Sequence, residues 1–218
     1  MIKQFDKPTG RYIESIPGQE RLAFAHSDGS DLYDLVEWAE RGGYPGSLLQ
    51  FYDFTTGKVY KPFRKKRDVM YSDPVYADGR YWFLQANHAK QKVTLFSWLP
   101  EEKPKAETAF AMADVNLYNL RILGENVHVV SQDAENAICY YPECFSVLLT
   151  PHQTVALIED DHVYLEEWVE EGWDEENDCA GENYRFYTKV IVKDFGGNTL
   201  SEQVGSITQA PDGSYWLA

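Results

Sequence analysis

The sequence predicts an all-β fold and, within that class, a five-bladed β-propeller. Three observations lead to this prediction. Turn signals between short β-rich runs recur along the whole chain. The runs are apolar on both faces, as in Tyr81–Leu84 and Phe145–Leu149, which is expected where other layers cover both faces of a sheet. One class of turn returns near positions 7, 55, 100, 142 and 197, close to the repeat of about 40–50 residues that propeller blades have.

Each blade is predicted to begin with a first hairpin. Glycine adopts a positive φ without strain, so Asp-Gly between two apolar runs is a strong hairpin signal. The predicted first hairpins span residues 67–84, 120–130, 154–165 and 206–217. Their turns are Asp78-Gly79, Gly124-Glu125-Asn126, Asp160-Asp161 and Asp212-Gly213.

A second hairpin is predicted to complete each four-stranded blade. The predicted strand pairs are Ile2–Asp6 with Arg11–Ile16, Leu48–Phe54 with Lys58–Phe63, Val93–Trp98 with Glu107–Met112, Ala137–Tyr141 with Cys144–Leu149, and Tyr184–Phe195 with Thr199–Val204. Five blades closed into a ring follow from this count.

The two ends of the chain are predicted to complete one blade together. Residues 2–15 (IKQFDKPTGRYIES) resemble the second hairpin at 49–62 (LQFYDFTTGKVYKP), and residues 210–217 (APDGSYWL) resemble the first hairpin at 77–84 (ADGRYWFL). Met1–Ile16 is therefore expected to supply the outer strands of the blade whose inner strands lie in Ser206–Ala218. That pairing would leave no open sheet edge, and residues 1–218 would form a single domain.

The segment Ser30–Gly43 permits two interpretations. Apolar residues recur there at helical spacing, at Leu32, Leu35, Val36 and Ala39. Ser30 or Asp31 can cap a helix and Gly42 can end it. Alignment with the other blades favours a strand instead, and Glu37–Gly42 (EWAERG) also resembles Glu167–Gly172 (EWVEEG). We favour a short helix inserted in the first blade near residues 31–41.

The net charge of −15 restricts the classes of partner. Nucleic acid is not expected, because phosphate binding needs a basic surface, and an anionic membrane surface is disfavoured for the same reason. The only basic run, Arg64–Arg67, is interpreted as a solvated loop between blades. A basic protein, a metal cation or a neutral sugar remains compatible with this charge.

The cysteines and the start of the chain predict a cytoplasmic protein. Cys139, Cys144 and Cys179 have no metal-binding spacing, and their odd number favours reduced thiols. The start, MIKQFDKPTG, lacks the apolar stretch of a leader peptide, and no apolar run reaches the roughly 20 residues of a membrane span. We expect a monomer without a metal or cofactor.

The pattern Tyr-Asp-x-x-Thr-Gly-Lys at Tyr52–Lys58 resembles the turn found in many propeller repeats, including the quinoprotein-type and YVTN-type families. In such a turn the Asp and Thr side chains bond backbone groups, and Gly takes the left-handed position. The resemblance implies a propeller and carries no catalytic residue. The tryptophan-docking signature of the quinoprotein type is absent from the sequence.

Propellers usually bind ligands at one end of the central channel, where the loops between second and third strands meet. These loops are predicted at Ala39–Ser47, Ala86–Lys92, Ser131–Asn136 and Val169–Asn183, the last of them strongly acidic. Aromatic faces there can stack on sugars or clamp a peptide, although single aromatic residues near strand ends more often pack between blades. The ligand-binding candidates are Trp38, Tyr44, His88, Trp168 and Trp173.

Three functions are compatible with the sequence. The first is a non-catalytic module that binds a protein, a small molecule or a sugar, since no catalytic motif is present. The second is a glycan-processing hydrolase, which needs two facing carboxylates; the candidates near inner strands are Glu37, Asp73, Asp114 and Glu159. The third is an acidic inhibitor or immunity-type protein that neutralises a basic toxin. We favour the first function.

Overall fold

The computed structural model describes residues 2–124, 126–174 and 176–218. It is an all-β structure whose antiparallel sheets follow one another in chain order. Sheet 1 contains β1 (Glu14–Ser15), β2 (Leu22–His26), β3 (Leu49–Asp53) and β4 (Val59–Tyr60). Sheet 2 contains β5 (Val69–Tyr71), β6 (Val75–Ala77), β7 (Arg80–Asn87), β8 (Lys92–Trp98) and β9 (Lys105–Ala111).

The later sheets repeat this arrangement. Sheet 3 contains β10 (Arg121–Leu123), β11 (His128–Gln132), β12 (Asn136–Tyr141) and β13 (Phe145–Leu148). Sheet 4 contains β14 (Gln153–Glu159), β15 (His162–Asp174), β16 (Cys179–Asp194) and β17 (Thr199–Val204). Sheet 5 contains β18 (Ile207–Gln209) and β19 (Tyr215–Leu217). Within each sheet, strands adjacent in sequence are hydrogen-bonded neighbours, except that β5 and β6 both pair with β7.

The predicted first-hairpin turns are confirmed where the structure describes them. Asp78 and Gly79 have φ values of 49° and 72°, and Asp160 and Asp161 have 49° and 62°. These left-handed conformations match the turns that suit the twist of a two-stranded hairpin. Glu125, part of a third predicted turn, lies outside the described residues.

Hydrophobic clusters join each of the first three sheets to the next. Phe24 and Phe51 of sheet 1 pack with Phe83 and Trp98 of sheet 2, and the rings of Phe51 and Trp98 are 4.7 Å apart. A second cluster joins sheet 2 to sheet 3 and includes Leu84, Leu95, Ile122 and Val129. A third joins sheet 3 to sheet 4 and includes Val130, Val147, Leu165 and Ile191. The strands are apolar on both faces because each inner sheet contacts two others.

The predicted short helix is confirmed as α1 (Asp34–Glu40). The carboxylate of Asp31 accepts hydrogen bonds from the amides of Tyr33 and Asp34, and so occupies donors at the helix start. Leu35 is fully buried, in the cluster between sheets 2 and 3. The helix ends as predicted, with Gly42 at φ 105°. The strand interpretation of this segment is therefore wrong.

The turn between β3 and β4 has the predicted hydrogen bonds. Asp53 Oδ1 accepts from the amides of Thr55 (2.8 Å) and Thr56 (3.1 Å), and Thr56 Oγ1 accepts from the amide of Lys58 (3.3 Å). Gly57 has φ 73°, the left-handed position. Asp53 Oδ2 also accepts two hydrogen bonds from the guanidinium of Arg21, at 2.9 and 3.1 Å. One inaccessible carboxylate thus fixes the turn and attaches it to the start of β2.

The predicted pairing of the two chain ends is wrong for the described residues. Glu14 and Ser15 pair with Phe24 and Ala23 of β2, so they form an edge strand of sheet 1. The hairpin they begin turns near Gly18, and sequence reasoning missed it. β18 and β19 pair only with each other among the described strands. Met1 lies outside the described residues.

The N-terminal segment instead covers one face of sheet 1. Phe5 and Ile13 pack against the small cluster formed by Ala25, Tyr52 and Val59. The amide of Asp6 donates to Gly57 O at 2.8 Å, and its carboxylate accepts from the amide of Val59 at 2.9 Å. The segment lies there because this face is apolar and would otherwise contact water. The turn at Gly18, near the start of the chain, contacts the turn between β18 and β19, because the amide of Gly18 donates to Pro211 O.

Candidate functional site

The fold has two candidate binding features. The first is a cavity of about 680 Å³ bordered by sheets 1, 2 and 3. We call it the Arg121 cavity. Its apolar wall includes Leu32, Val75, Leu120 and Ile122. This volume is in the range of sites for small molecules. A separate cavity of about 420 Å³ is bordered by residues of sheets 2 to 5 and by the turn at Gly18 between β1 and β2.

Carboxylates form one side of the Arg121 cavity. Asp28 accepts hydrogen bonds from the Tyr44 hydroxyl at 2.7 Å and from Ser27 Oγ at 3.1 Å. Asp73 lies 2.8 Å from Nε2 of His26, and its side chain is 74% exposed. Glu14 and Asp31 also line the cavity. Burial raises the pKa of Tyr44, and its hydrogen bond to Asp28 raises it further, so this hydroxyl stays protonated and donates to the carboxylate.

Arg121, the first residue of β10, is the half-buried cation that lines the cavity, and the exposed Arg11 lines it as well. The Nη2 of Arg121 donates to Val155 O at 2.7 Å and its Nη1 to Asn119 O at 3.3 Å. In the described part of the chain no carboxylate forms an ion pair with it. Burial lowers its pKa, and no charged neighbour opposes that effect. The guanidinium therefore keeps donors for the cavity that it lines.

The second feature is a two-stranded extension of sheet 4, which we call the arm (residues 168–188). β14 pairs with β15 only as far as Glu167, and β17 pairs with β16 only from Lys189 onward. Beyond these positions β15 and β16 continue as partners of each other alone, with a register shift beside Gly172. The interpretation of Val169–Asn183 as a loop is therefore wrong for most of its length. Glu175 lies outside the described residues.

One face of the arm presents adjoining aromatic rings. Trp168 stacks on Phe186, with centroids 4.8 Å apart and ring planes inclined by 23°. Tyr184 lies 6.3 Å from Phe186 and 5.8 Å from Trp173, so the four rings form a continuous row. Trp168, Trp173 and Phe186 are 44%, 45% and 58% exposed. The register between β15 and β16 creates the row. Glu170 lies opposite Phe186, so Phe186 is diagonally adjacent to Trp168 on the same face of the arm.

The arm is also strongly acidic. Residues 168–188 contain seven carboxylates and one arginine. Tyr184 donates its hydroxyl to Glu170 at 2.6 Å, and Arg185 and Tyr187 both donate to Glu171. These hydrogen bonds lower the pKa of Glu171, which therefore stays charged as the pH falls. Glu171 is paired with Arg185, and the other carboxylates give the arm its net negative charge.

The structure places the five ligand-binding candidates in three regions. Trp168 and Trp173 lie together on the arm, next to Tyr184 and Phe186, which sequence reasoning missed. Trp38 lies on α1 and is 46% exposed, whereas Tyr44 is buried with its hydroxyl on Asp28. His88 is half-buried at the start of a short 3-10 turn after β7.

The carboxylates predicted for a hydrolase are dispersed. Asp73 borders the Arg121 cavity, whereas Glu159 borders a cavity between sheets 4 and 5. Glu37 lies on α1, and Asp114 ends a 3-10 turn after β9. Sequence reasoning did not select Arg121, because a single arginine before an apolar run has no motif. Arg121 becomes a candidate only because the structure shows it half-buried and bonded to two backbone carbonyls.

Within residues 2–124, 126–174 and 176–218, no group of three or more His, Cys, Asp or Glu side chains is arranged to hold a metal ion. The three cysteines are free thiols, and burial raises the pKa of Cys139 to about 12. No helix of the described chain has the length and apolar character needed to cross a membrane.

His128 is buried and gives a pH-dependent prediction. Its Nδ1 has no hydrogen-bond partner among the described residues. Burial lowers its pKa, while Glu143 and Asp161 partly oppose the shift. The unfolded chain therefore binds a proton more readily than the folded protein. His128 therefore does not lower the free energy of unfolding above about pH 6.5. Below that pH the free energy of unfolding decreases, by at most about 1.4 kcal/mol per pH unit.

Urea unfolding of the wild type and of His128→Gln over this pH range measures the effect. The loss of stability on acidification should be smaller in the variant, because residue 128 no longer titrates. If the free energy of unfolding falls equally with pH in the two proteins, groups other than His128 cause the acid sensitivity.

No protein-family model matches the chain, and comparisons with curated proteins and with solved structures found no match.

Proposed function

We propose that this protein is a non-catalytic binding module that docks a basic polypeptide on the aromatic face of the arm. The observation that carries the proposal is the row formed by Trp168, Phe186, Tyr184 and Trp173, three of whose rings are about half exposed. Soluble proteins seldom leave adjoining large apolar groups exposed unless they form an interaction site. Tryptophan and tyrosine also dominate the energetics of protein interfaces.

The chemistry of the surroundings favours a cationic partner. Arginine and lysine side chains bind to aromatic faces through cation–π contacts. The carboxylates of the arm attract the same groups and accelerate encounter at low salt. An acidic partner would meet repulsion, and a purely apolar one would leave these carboxylates poorly solvated. An inhibitor that neutralises a basic toxin would be one form of this function.

We further propose a five-bladed β-propeller as the architecture of this module. Five antiparallel sheets in chain order support it, as does the cavity bordered by sheets 2 to 5 and by the turn between β1 and β2 of sheet 1. The hydrogen bond from Gly18 to Pro211, between the turns of sheets 1 and 5, supports contact between the first and last blades.

A fluorescein-labelled peptide of alternating arginine and glycine tests the docking proposal by fluorescence anisotropy. We expect the wild type to bind it, with affinity that falls as salt is added. The double variant Trp168→Ala/Phe186→Ala should bind about tenfold more weakly, since it removes two stacked rings. Its thermal stability should change little because both side chains are exposed.

Two controls make the result specific. Trp216→Ala removes an equally large ring, 65% exposed, from sheet 5 and should leave binding unchanged. A peptide with glutamate in place of arginine should not bind. Loss of binding in Trp216→Ala alone would contradict docking on the arm. Turnover of aryl glycosides by the wild type would contradict the non-catalytic part of the proposal and support the hydrolase alternative.

A further inference from the structure

The Arg121 cavity combines a half-buried cation with several carboxylates, and this combination is independent of the arm. Arg21, Arg41, Arg67, Arg80 and Arg185 each form an ion pair with a carboxylate. Arg121 is bonded to two backbone carbonyls instead. Of the eight arginines, Arg11 and Arg64 also form no ion pair in the described part of the chain, but both are exposed, whereas Arg121 is half-buried. A buried charge without a counter-charge is unfavourable, so an incoming carboxylate would be stabilised there.

A simple anion does not fit the rest of the cavity. Glu14, Asp28, Asp31 and Asp73 line the same space and would repel it. Of these four, only Asp73 has a basic side chain bonded to it, the ring of His26. The other carboxylates are available to a cationic group of a ligand. The cavity is thus lined by both kinds of charge: four carboxylates, the half-buried Arg121 and the exposed Arg11.

An apolar surface adjoins the charged walls. Leu32, Leu120 and Ile122 are buried in the cluster between sheets 2 and 3, and they present part of their surface to the cavity. An aliphatic or aromatic group of a ligand would be removed from water there. A cavity of about 680 Å³ accommodates a molecule of this size.

We infer that the Arg121 cavity binds a small zwitterion with an apolar side chain, such as a free α-amino acid. Its carboxylate accepts hydrogen bonds from Arg121, its ammonium group faces the carboxylate wall, and its side chain contacts the apolar wall. Neither charge of such a ligand is left without an opposite charge in the cavity. This is a second site, and it functions whether or not the arm binds a basic polypeptide.

Isothermal titration calorimetry with the full chain tests the inference, with leucine as the probe. 4-Methylpentanoate lacks the amine of leucine, and 3-methylbutylamine lacks its carboxylate. Leucine should bind, and each analogue should bind about tenfold more weakly because one charged wall is left unpaired. Equal binding of 4-methylpentanoate and leucine, or the absence of any leucine binding at millimolar concentration, would overturn the inference.

Two variants locate the site. Arg121→Gln should weaken leucine binding about tenfold or more, whereas Arg64→Gln, an exposed arginine outside the cavity, should not. Unchanged leucine affinity in Arg121→Gln would overturn the assignment. If Arg121→Gln does not fold, Asp31→Asn changes an exposed carboxylate of the cavity and should also weaken leucine binding while leaving 4-methylpentanoate binding no weaker.

Discussion

Replacing Gly46 by alanine is expected to lower the free energy of unfolding by about 2–5 kcal/mol. Gly46 is buried in the connection between α1 and β3, with φ 91°. A Cβ atom there would overlap the carbonyl oxygen of Lys66 and lie 2.6 Å from its carbonyl carbon. Backbone atoms cannot rotate away as a flexible side chain can. The substitution therefore adds a steric clash to the strain of a positive φ.

Gly42→Ala is the matched control for this prediction. Gly42 lies in the same connection with φ 105°, but a Cβ atom on it would have no neighbour within 4 Å. Gly42→Ala should lower the free energy of unfolding by about 1–2 kcal/mol, which is the strain of a positive φ alone. Urea unfolding of the two variants separates strain from clash. Equal losses of stability would show that the contact between Gly46 and Lys66 is not maintained in solution.

Replacing Asp53 by alanine is the second large change, with an expected loss of about 2–4 kcal/mol. The substitution removes four hydrogen bonds from one carboxylate and leaves Arg21 without its partner. The loss stays below that of a deeply buried pair, because the side chain of Arg21 is 48% exposed and can be hydrated. Asp53→Asn retains an acceptor for the turn but removes the charge, so it should cost less than alanine.

Asp194→Ala is the control for Asp53, because Asp194 caps the corresponding turn of sheet 4 without an arginine. We expect a loss of about 1 kcal/mol there. Burial raises the pKa of Asp53, but the hydrogen bonds from Arg21, Thr55 and Thr56 outweigh it and leave the pKa below its ordinary value. Its contribution is therefore present at neutral pH and disappears as the pH falls through that lowered pKa. Similar losses for Asp53→Ala and Asp194→Ala would contradict a role for Arg21.

The β-rich fold could be predicted because its signals are local. Asp-Gly turns, short apolar strands and the Asp53 turn depend on residues close in sequence, and the structure has each of them. The resemblance between Glu37–Gly42 and Glu167–Gly172 shows where local reasoning fails. The first segment is helical because Asp31 occupies the first amides and Leu35 is anchored in the core. The second is a strand because residues 185–189 of β16 pair with it.

The chain ends and the candidate sites required information about distant contacts. Residues 2–15 have the sequence of a hairpin, yet Phe5 and Ile13 cover an apolar face of sheet 1 instead. The arm could be located from its acidic composition, but its aromatic row depends on the register that brings Phe186 beside Trp168. The importance of Arg121 depends on Val155, which is distant in sequence.

The uninterrupted course of β15 and β16 has an evolutionary consequence. Their inner halves supply Val163, Leu165 and Ile191 to the core, whereas their outer halves form the arm and contribute nothing to it. Substitutions of exposed side chains in the outer halves are therefore nearly neutral for folding, except at Gly172 and Gly181, where a Cβ atom would lie 2.6 Å from a backbone oxygen. A lineage can replace the residues that select a partner without first acquiring compensating mutations in the core, so this extension can diversify while the rest of the sequence remains constrained.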